Sequence, residues 1–86
     1  SELQRHDEAI ALQRLCVEQI EALRGADHFD THAMRGNLGK ALLAAGRPEE
    51  AEPLLLGSYA GLAKAYNPAH PEATSRAQDL AELYKA

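Results

Sequence analysis

Few residues in this chain could do chemistry, and their spacing limits what that chemistry is. His28 and His32 stand four apart, the interval that places two imidazoles on one helix face and that metal sites use for a histidine pair. A zinc site needs a third and a fourth ligand, and the sequence sets none beside them. Carboxylates pair at Glu49-Glu50 and across Glu18 and Glu21, but at positions expected on solvated helix faces or at helix N-termini, where adjacent acids seldom act as general acid and base. No Ser, His and Asp form a recognisable set, and Cys16 has neither a histidine nor a basic residue placed to activate it. No Gly-rich nucleotide loop, catalytic Asp loop or metal-binding Asp triplet occurs. The expectation is a chain with no catalytic residues, no metal and no cofactor.

The elements that must position these residues are helices. Ala and Leu dominate the 86 residues, with one Phe, three Tyr and no Trp, so intrinsic propensity favours helix and no strand is expected. Such a chain makes one domain at most, and is small enough to be a fragment of something larger. Its net charge of −4, from 13 acidic and 9 basic side chains, supplies no basic stripe, so nucleic acid is not an expected partner. The longest apolar run is Ala41-Leu42-Leu43-Ala44-Ala45, far short of the roughly 20 residues of a membrane span, and no signal-peptide pattern opens the chain. No membrane partner is expected. The single cysteine, Cys16, lies in an apolar helical pattern; it is expected to be a small buried packing residue in a reducing, cytoplasmic setting.

Four apolar stripes define four helices. The first runs from Asp7 to Leu23 with Ala9, Leu12, Cys16, Ile20 and Leu23 on one face, and Gly25 ends it. The second begins near Asp30 with Met34, Leu38, Ala41, Leu42 and Ala45, and stops at Gly46, suited to the left-handed position after a helix. The third opens at Pro48, whose missing N–H costs nothing in a first turn, followed by Glu49 and Glu50 where the helix dipole favours negative charge. Its stripe is Ala51, Leu55, Ser58, Leu62 and Ala65, and the internal Pro53 removes one hydrogen bond and predicts a slight bend. Gly57 and Gly61, spaced as GxxxG, predict a close helix contact. The fourth starts around Pro71 and runs to the chain end with Ala73, Ala77, Leu80 and Tyr84. Short connections make neighbours antiparallel.

The pattern repeats. A shift of 42 residues, the interval from His28 to His70, aligns Arg5 with Arg47, Glu8 with Glu50, Ala9 with Ala51, Leu12 with Leu54 and Leu38 with Leu80 without a gap. Conservative pairs fall between them: Asp7 with Glu49, Cys16 with Ser58, Ile20 with Leu62, Asp30 with Glu72, Asn37 with Asp79. His28 recurring at the next helix entry points to a turn or capping role, and His32 does not recur because Thr74 stands there. One helical hairpin per period predicts an all-α fold of antiparallel hairpins in an α-solenoid. The frame is offset: residues 1–25 form the second helix of a preceding unit, 28–67 a full hairpin, and 70–86 the first helix of the next.

At these residues the chain resembles the tetratricopeptide repeat, in the 42-residue variety of kinesin light chains and many bacterial repeat proteins. The resemblance rests on Leu38-Gly39, Leu42, Gly46, Ala51, Leu55 and Ser58, and on the openings His28-Phe29-Asp30-Thr31 and His70-Pro71-Glu72. Gly39 and Ala81 are small where the helices of a hairpin approach, and Ala51 and Ser58 are small where a neighbour crosses. Three positions depart from the pattern. Phe29 stands in place of the usual proline and predicts a less sharply set second helix. Gln13 stands where Leu55 predicts a large apolar residue, and Asp79 where Asn37 predicts asparagine. The stretch Ala51-Glu52-Pro53-Leu54-Leu55-Leu56 is also similar, more faintly, to repeat regions attached to bacterial serine/threonine kinases.

The resemblance implies a non-enzymatic protein–protein interaction module whose first helices line a concave groove. Ala33, Gly36, Asn37 and Lys40 would face it from the second helix, and Ser75, Gln78, Asp79 and Glu82 from the fourth. Small residues there leave room for an extended peptide, an Asn amide offers both donor and acceptor, and Lys40 offers charge. The alternatives are a structural spacer or self-assembly element, and a regulatory segment of a larger bacterial signalling protein such as a kinase. Terminal helices without hairpin partners, with Ile10, Leu15, Val17 and Leu83 lying off the main stripes, also predict a homodimer.

Overall fold

A computed structural model describes residues 1–85. Its four helices are α1 (Glu2–Arg24), α2 (Phe29–Ala44), α3 (Pro48–Ala65) and α4 (Pro71–Lys85). No strand occurs among the described residues. α2 and α3 share the largest interface, α1 packs on α2, α4 packs on α3 and touches α2, and no packing joins α1 to α4. This is the consecutive stacking of an α-solenoid. The last residue of the expected fourth helix, Ala86, lies outside the described residues.

The helix ends follow from local chemistry. Ser1 caps α1 in a reciprocal box with Gln4, which satisfies two otherwise free N–H groups. His28 caps α2: its Nδ1 accepts the Asp30 N–H at 3.0 Å, and His70 Nδ1 accepts the Glu72 N–H at 3.2 Å one unit later. The recurring histidine is therefore a cap, as its repetition implied. Gly46, at φ +76°, closes α2. Its N–H donates to the Leu43 carbonyl and the Arg47 N–H to the Leu42 carbonyl, the paired bonds of a Schellman ending. Phe29 does not blur the start of α2. Its ring sits edge-on to Tyr66 at 5.3 Å and to His70 at 5.6 Å between centroids, so aromatic packing replaces what a proline would fix.

The core contains Ile10, Leu38, Leu42, Ala51, Leu55 and Leu80, with Val17, Leu54, Tyr59 and Leu83 packed against it. Close approach of α2 to α3 depends on small residues. Gly39 lies against Leu55 and the Ala51 carbonyl, and Gly61 lies under the His32 ring. Of the two glycines at GxxxG spacing, Gly61 makes the expected contact, while Gly57 faces open space. Buried Ser58 donates to the His32 carbonyl at 2.7 Å, tying the middle of the hairpin. Thr31 donates to the Gly25 carbonyl at 2.6 Å, which holds α2 to the turn after α1.

The expected stripe of α1 is corrected. Leu12 is 64% and Leu23 79% exposed, and Ala9 and Cys16 are exposed as well. Ile10, buried, and Val17, half-buried, face the core instead. A second helix of a repeat meets two neighbours and so carries two apolar faces, about a third of a turn apart. The stripe Ala9, Leu12, Cys16 matches the α3 stripe that packs on α2. In α1 that face points outward, and α2 covers the other one. Cys16 is accordingly an exposed thiol rather than a buried packing residue. On α4, Ala73 and Leu80 are buried as expected, but Ala77 and Tyr84 are exposed; Tyr84 lies at the rim of the α3 contact, where its hydroxyl donates to Glu52 Oε2.

The candidate peptide-binding face

The residues expected to line the concave face come from α2 and α4, which run side by side in the stack. On α2, Asn37 and Lys40 are exposed, Ala33 is half-buried and Gly36 is buried. On α4, Gln78 and Glu82 are exposed, Ser75 is half-buried, and Asp79 is only 8% exposed. The two helices are bridged by charge: Lys40 Nζ lies 3.9 Å from Asp79 Oδ1. Beside this bridge a shallow depression of about 180 Å³ is lined by Lys40, Leu43, Ala44, Asp79 and Glu82.

Arg76 is the residue that sequence reasoning missed. Its side chain is 3% exposed and its guanidinium lies directly on Gly36, where any Cβ would overlap it. Arg76 Nε is 3.2 Å from Asp79 Oδ2. The angle there is outside that of a hydrogen bond, so Arg76 Nε and Nη1 and Asp79 Oδ2 lack hydrogen-bond partners in the protein. The contact is thus a short-range charge pair. Its Coulomb gain is offset by desolvation, and removing either member alone strands a buried charge, typically at a cost of about 3–5 kcal/mol. One sequence signal was available: under the repeat shift Arg76 replaces Met34, a charge at an apolar packing position.

This arrangement sorts the expected site residues into two groups. Asn37, Lys40, Gln78 and Glu82 present polar groups outward. Gly36 and Asp79 form the floor with Arg76, where Asp79 braces α4 to α2 rather than offering a free carboxylate. A larger crevice, about 520 Å³, opens elsewhere between α1, α2 and α3 and is lined by Arg14, Arg35, Glu50, Pro53, Leu54 and Gly57. Its size comes from a gap spanned by Arg14 and Glu50, 3.4 Å apart, and both side chains are half exposed. In the hairpin, His32 is buried with its Nδ1 unpartnered. Burial lowers its pKa below the ordinary 6.5, Arg35 adds to that, and Asp27 opposes it. Among the described residues no three His, Cys, Asp or Glu side chains gather as a metal site would need. No helix among the described residues is long and apolar enough to cross a membrane.

Consecutive antiparallel hairpins, small residues at each crossing and a polar face shared by successive first helices define a helical-repeat interaction module. A family model for the tetratricopeptide repeat matches residues 1–63. The chain belongs to the tetratricopeptide repeat family, whose repeats serve in general as protein–protein interaction modules. No curated protein and no solved structure matches it.

Proposed function

We propose that this chain binds an extended segment of a partner protein along the face shared by α2 and α4, without catalysis. The observation that carries the reading is the row of exposed polar side chains Asn37, Lys40, Gln78 and Glu82 above a buried floor of Arg76, Asp79 and Gly36. Two carboxamides supply donors and acceptors for a peptide backbone, which has both along its length. Lys40 and Glu82 carry opposite charges, and Lys40 is already near Asp79. The favoured partner is therefore a segment of mixed charge recognised through its backbone, rather than a polyacidic or polybasic one.

A peptide array probed with the 86-residue chain tests this. Peptides retained by the native chain should lose binding to Asn37→Ala and Lys40→Ala, and keep it with Lys64→Ala, which alters an exposed side chain of α3. Equal retention by all three variants would remove the α2–α4 face from consideration.

A further inference from the structure

We propose that the pocket between the α1–α2 turn and the end of α3, lined by Asp27, His32, Gly61, Lys64 and Ala65, binds a carboxylate group, held between the Lys64 ammonium and the His32 imidazole.

The pocket, about 270 Å³, is built around a polar edge that the hairpin buries. Gly61 has no side chain, and the ring edge of His32 that carries Nδ1, Cε1 and Nε2 lies against it, where any Cβ would overlap the ring. The His32 side chain is only 8% exposed, yet its Nδ1 has no hydrogen-bond partner in the protein. A buried polar atom left unpaired is costly, and it marks a place where a ligand gains by supplying the partner. The repeat does not require this contact: the 42-residue shift sets Thr74 at the position of His32 and Gln19 at that of Gly61.

Charge selects the ligand. Lys64 is exposed on α3 and takes part in none of the ion pairs among the described residues. Arg35 on α2 adds positive potential at the imidazole, which burial and that arginine hold in its neutral form. The opposing charge is Asp27, whose Oδ1 stands 3.9 Å from His32 Nε2, beyond hydrogen-bond reach, on a fully exposed side chain. The chain's own carboxylate thus approaches the imidazole edge from the solvent side without bonding to it. An incoming carboxylate has two oxygens, one to accept from the Lys64 ammonium and one from an imidazole N–H. A divalent cation suits the pocket less well. His32 and Asp27 supply two ligands, His28 Nδ1 is engaged in capping α2, and Lys64 and Arg35 repel a positive ion. A bound carboxylate favours the imidazolium over the imidazole, so binding takes up a proton and strengthens as pH falls toward 6.

NMR titration of the labelled chain with sodium acetate, beside sodium chloride and sodium sulfate at matched ionic strength, tests the site through the His32 ring and the His32, Gly61 and Ala65 amides. Acetate should shift these signals saturably and move the His32 titration to higher pH. Lys64→Gln should weaken acetate binding by about threefold. Asp27→Asn removes the competing carboxylate and should tighten it by a similar factor. Both variants change exposed side chains, and circular dichroism confirms that their helices are intact. A capped peptide with a single Glu, compared with its Gln counterpart, separates two sources of the group: tighter binding than acetate identifies an acidic side chain of a partner, and equal or weaker binding a free small carboxylate. Equal shifts with chloride or sulfate, acetate binding unchanged in Lys64→Gln, or weaker binding in Asp27→Asn would overturn the proposal. So would a site that ignores acetate and binds zinc chloride through Asp27.

Discussion

Two chemically identical substitutions in this molecule should move stability in opposite directions. Gly39 and Gly57 both lie inside helices, where Gly→Ala contributes about 0.8–1 kcal/mol from propensity alone. At Gly57 nothing lies within 4 Å of an added Cβ, so Gly57→Ala should keep that gain. At Gly39 the Cβ would stand 2.8 Å from Leu55 Cγ, 2.9 Å from Leu55 Cδ2 and 3.4 Å from the Ala51 carbonyl oxygen. Leu55 is wholly buried and cannot swing away, and overpacking of this kind costs about 1–3 kcal/mol. The net for Gly39→Ala is a loss of about 1 kcal/mol. A domain of this size shifts by about 4–8 °C per kcal/mol, so thermal melts followed at 222 nm should separate the two variants by roughly 10 °C. Leu55→Ala should relieve the clash, so that Gly39→Ala in that background turns neutral or stabilising, a coupling of about 1 kcal/mol or more. If both glycine substitutions raise the melting temperature equally, or the coupling is absent, α2 and α3 do not meet at Gly39.

Leu38→Ala, deep in the core, should cost about 2–5 kcal/mol, whereas Lys64→Ala should stay within about 0.5 kcal/mol; similar losses in denaturant melts would contradict the core assignment. His32 has a lowered folded-state pKa, so the unfolded chain takes up its proton first. Its contribution is full above pH 6.5 and is lost as pH falls below it, by about 1.4 kcal/mol per unit of pKa lowering. His32→Asn should flatten the decline in melting temperature between pH 7.5 and 5.5 that the native chain shows, and an unchanged slope would count against the buried neutral imidazole. Exposed Cys16 should react fully with a thiol reagent in the native state at the rate of an unfolded control; protection until denaturation would contradict the placement of α1.

What the sequence made legible was whatever short-range chemistry decides. The Gly46 ending, the His28 and His70 caps and Pro48 in a first turn are local signals, and the boundaries of α2, α3 and α4 follow them closely, whereas α1 opens at Glu2 on the Ser1 cap rather than at the expected Asp7. The 42-residue shift carried the hairpin register, because Ala51, Ser58 and Gly39 owe their size to a recurring contact. Facing was harder to read. α1 has two apolar stripes, and nothing within it says which one a neighbour covers, so Ile10 and Val17 were set aside for Leu12 and Cys16. The floor of the candidate face was hidden for a different reason. Arg76 is charged, and although the repeat shift sets it at the apolar position of Met34, it is the contact with Gly36, forty residues earlier in the chain, that shows it is buried. Asp79, read as a groove-facing acid, is drawn down by that same arginine.

The central claim, a peptide seated between α2 and α4, is tested most directly by backbone amide shifts of isotope-labelled chain titrated with a peptide that the array selects. The account predicts saturable shifts at Ala33, Gly36, Asn37, Lys40, Ser75, Gln78 and Glu82, with little change on the outward face of α1. Shifts confined to the Arg14, Arg35 and Glu50 crevice, or to α1 alone, would contradict it.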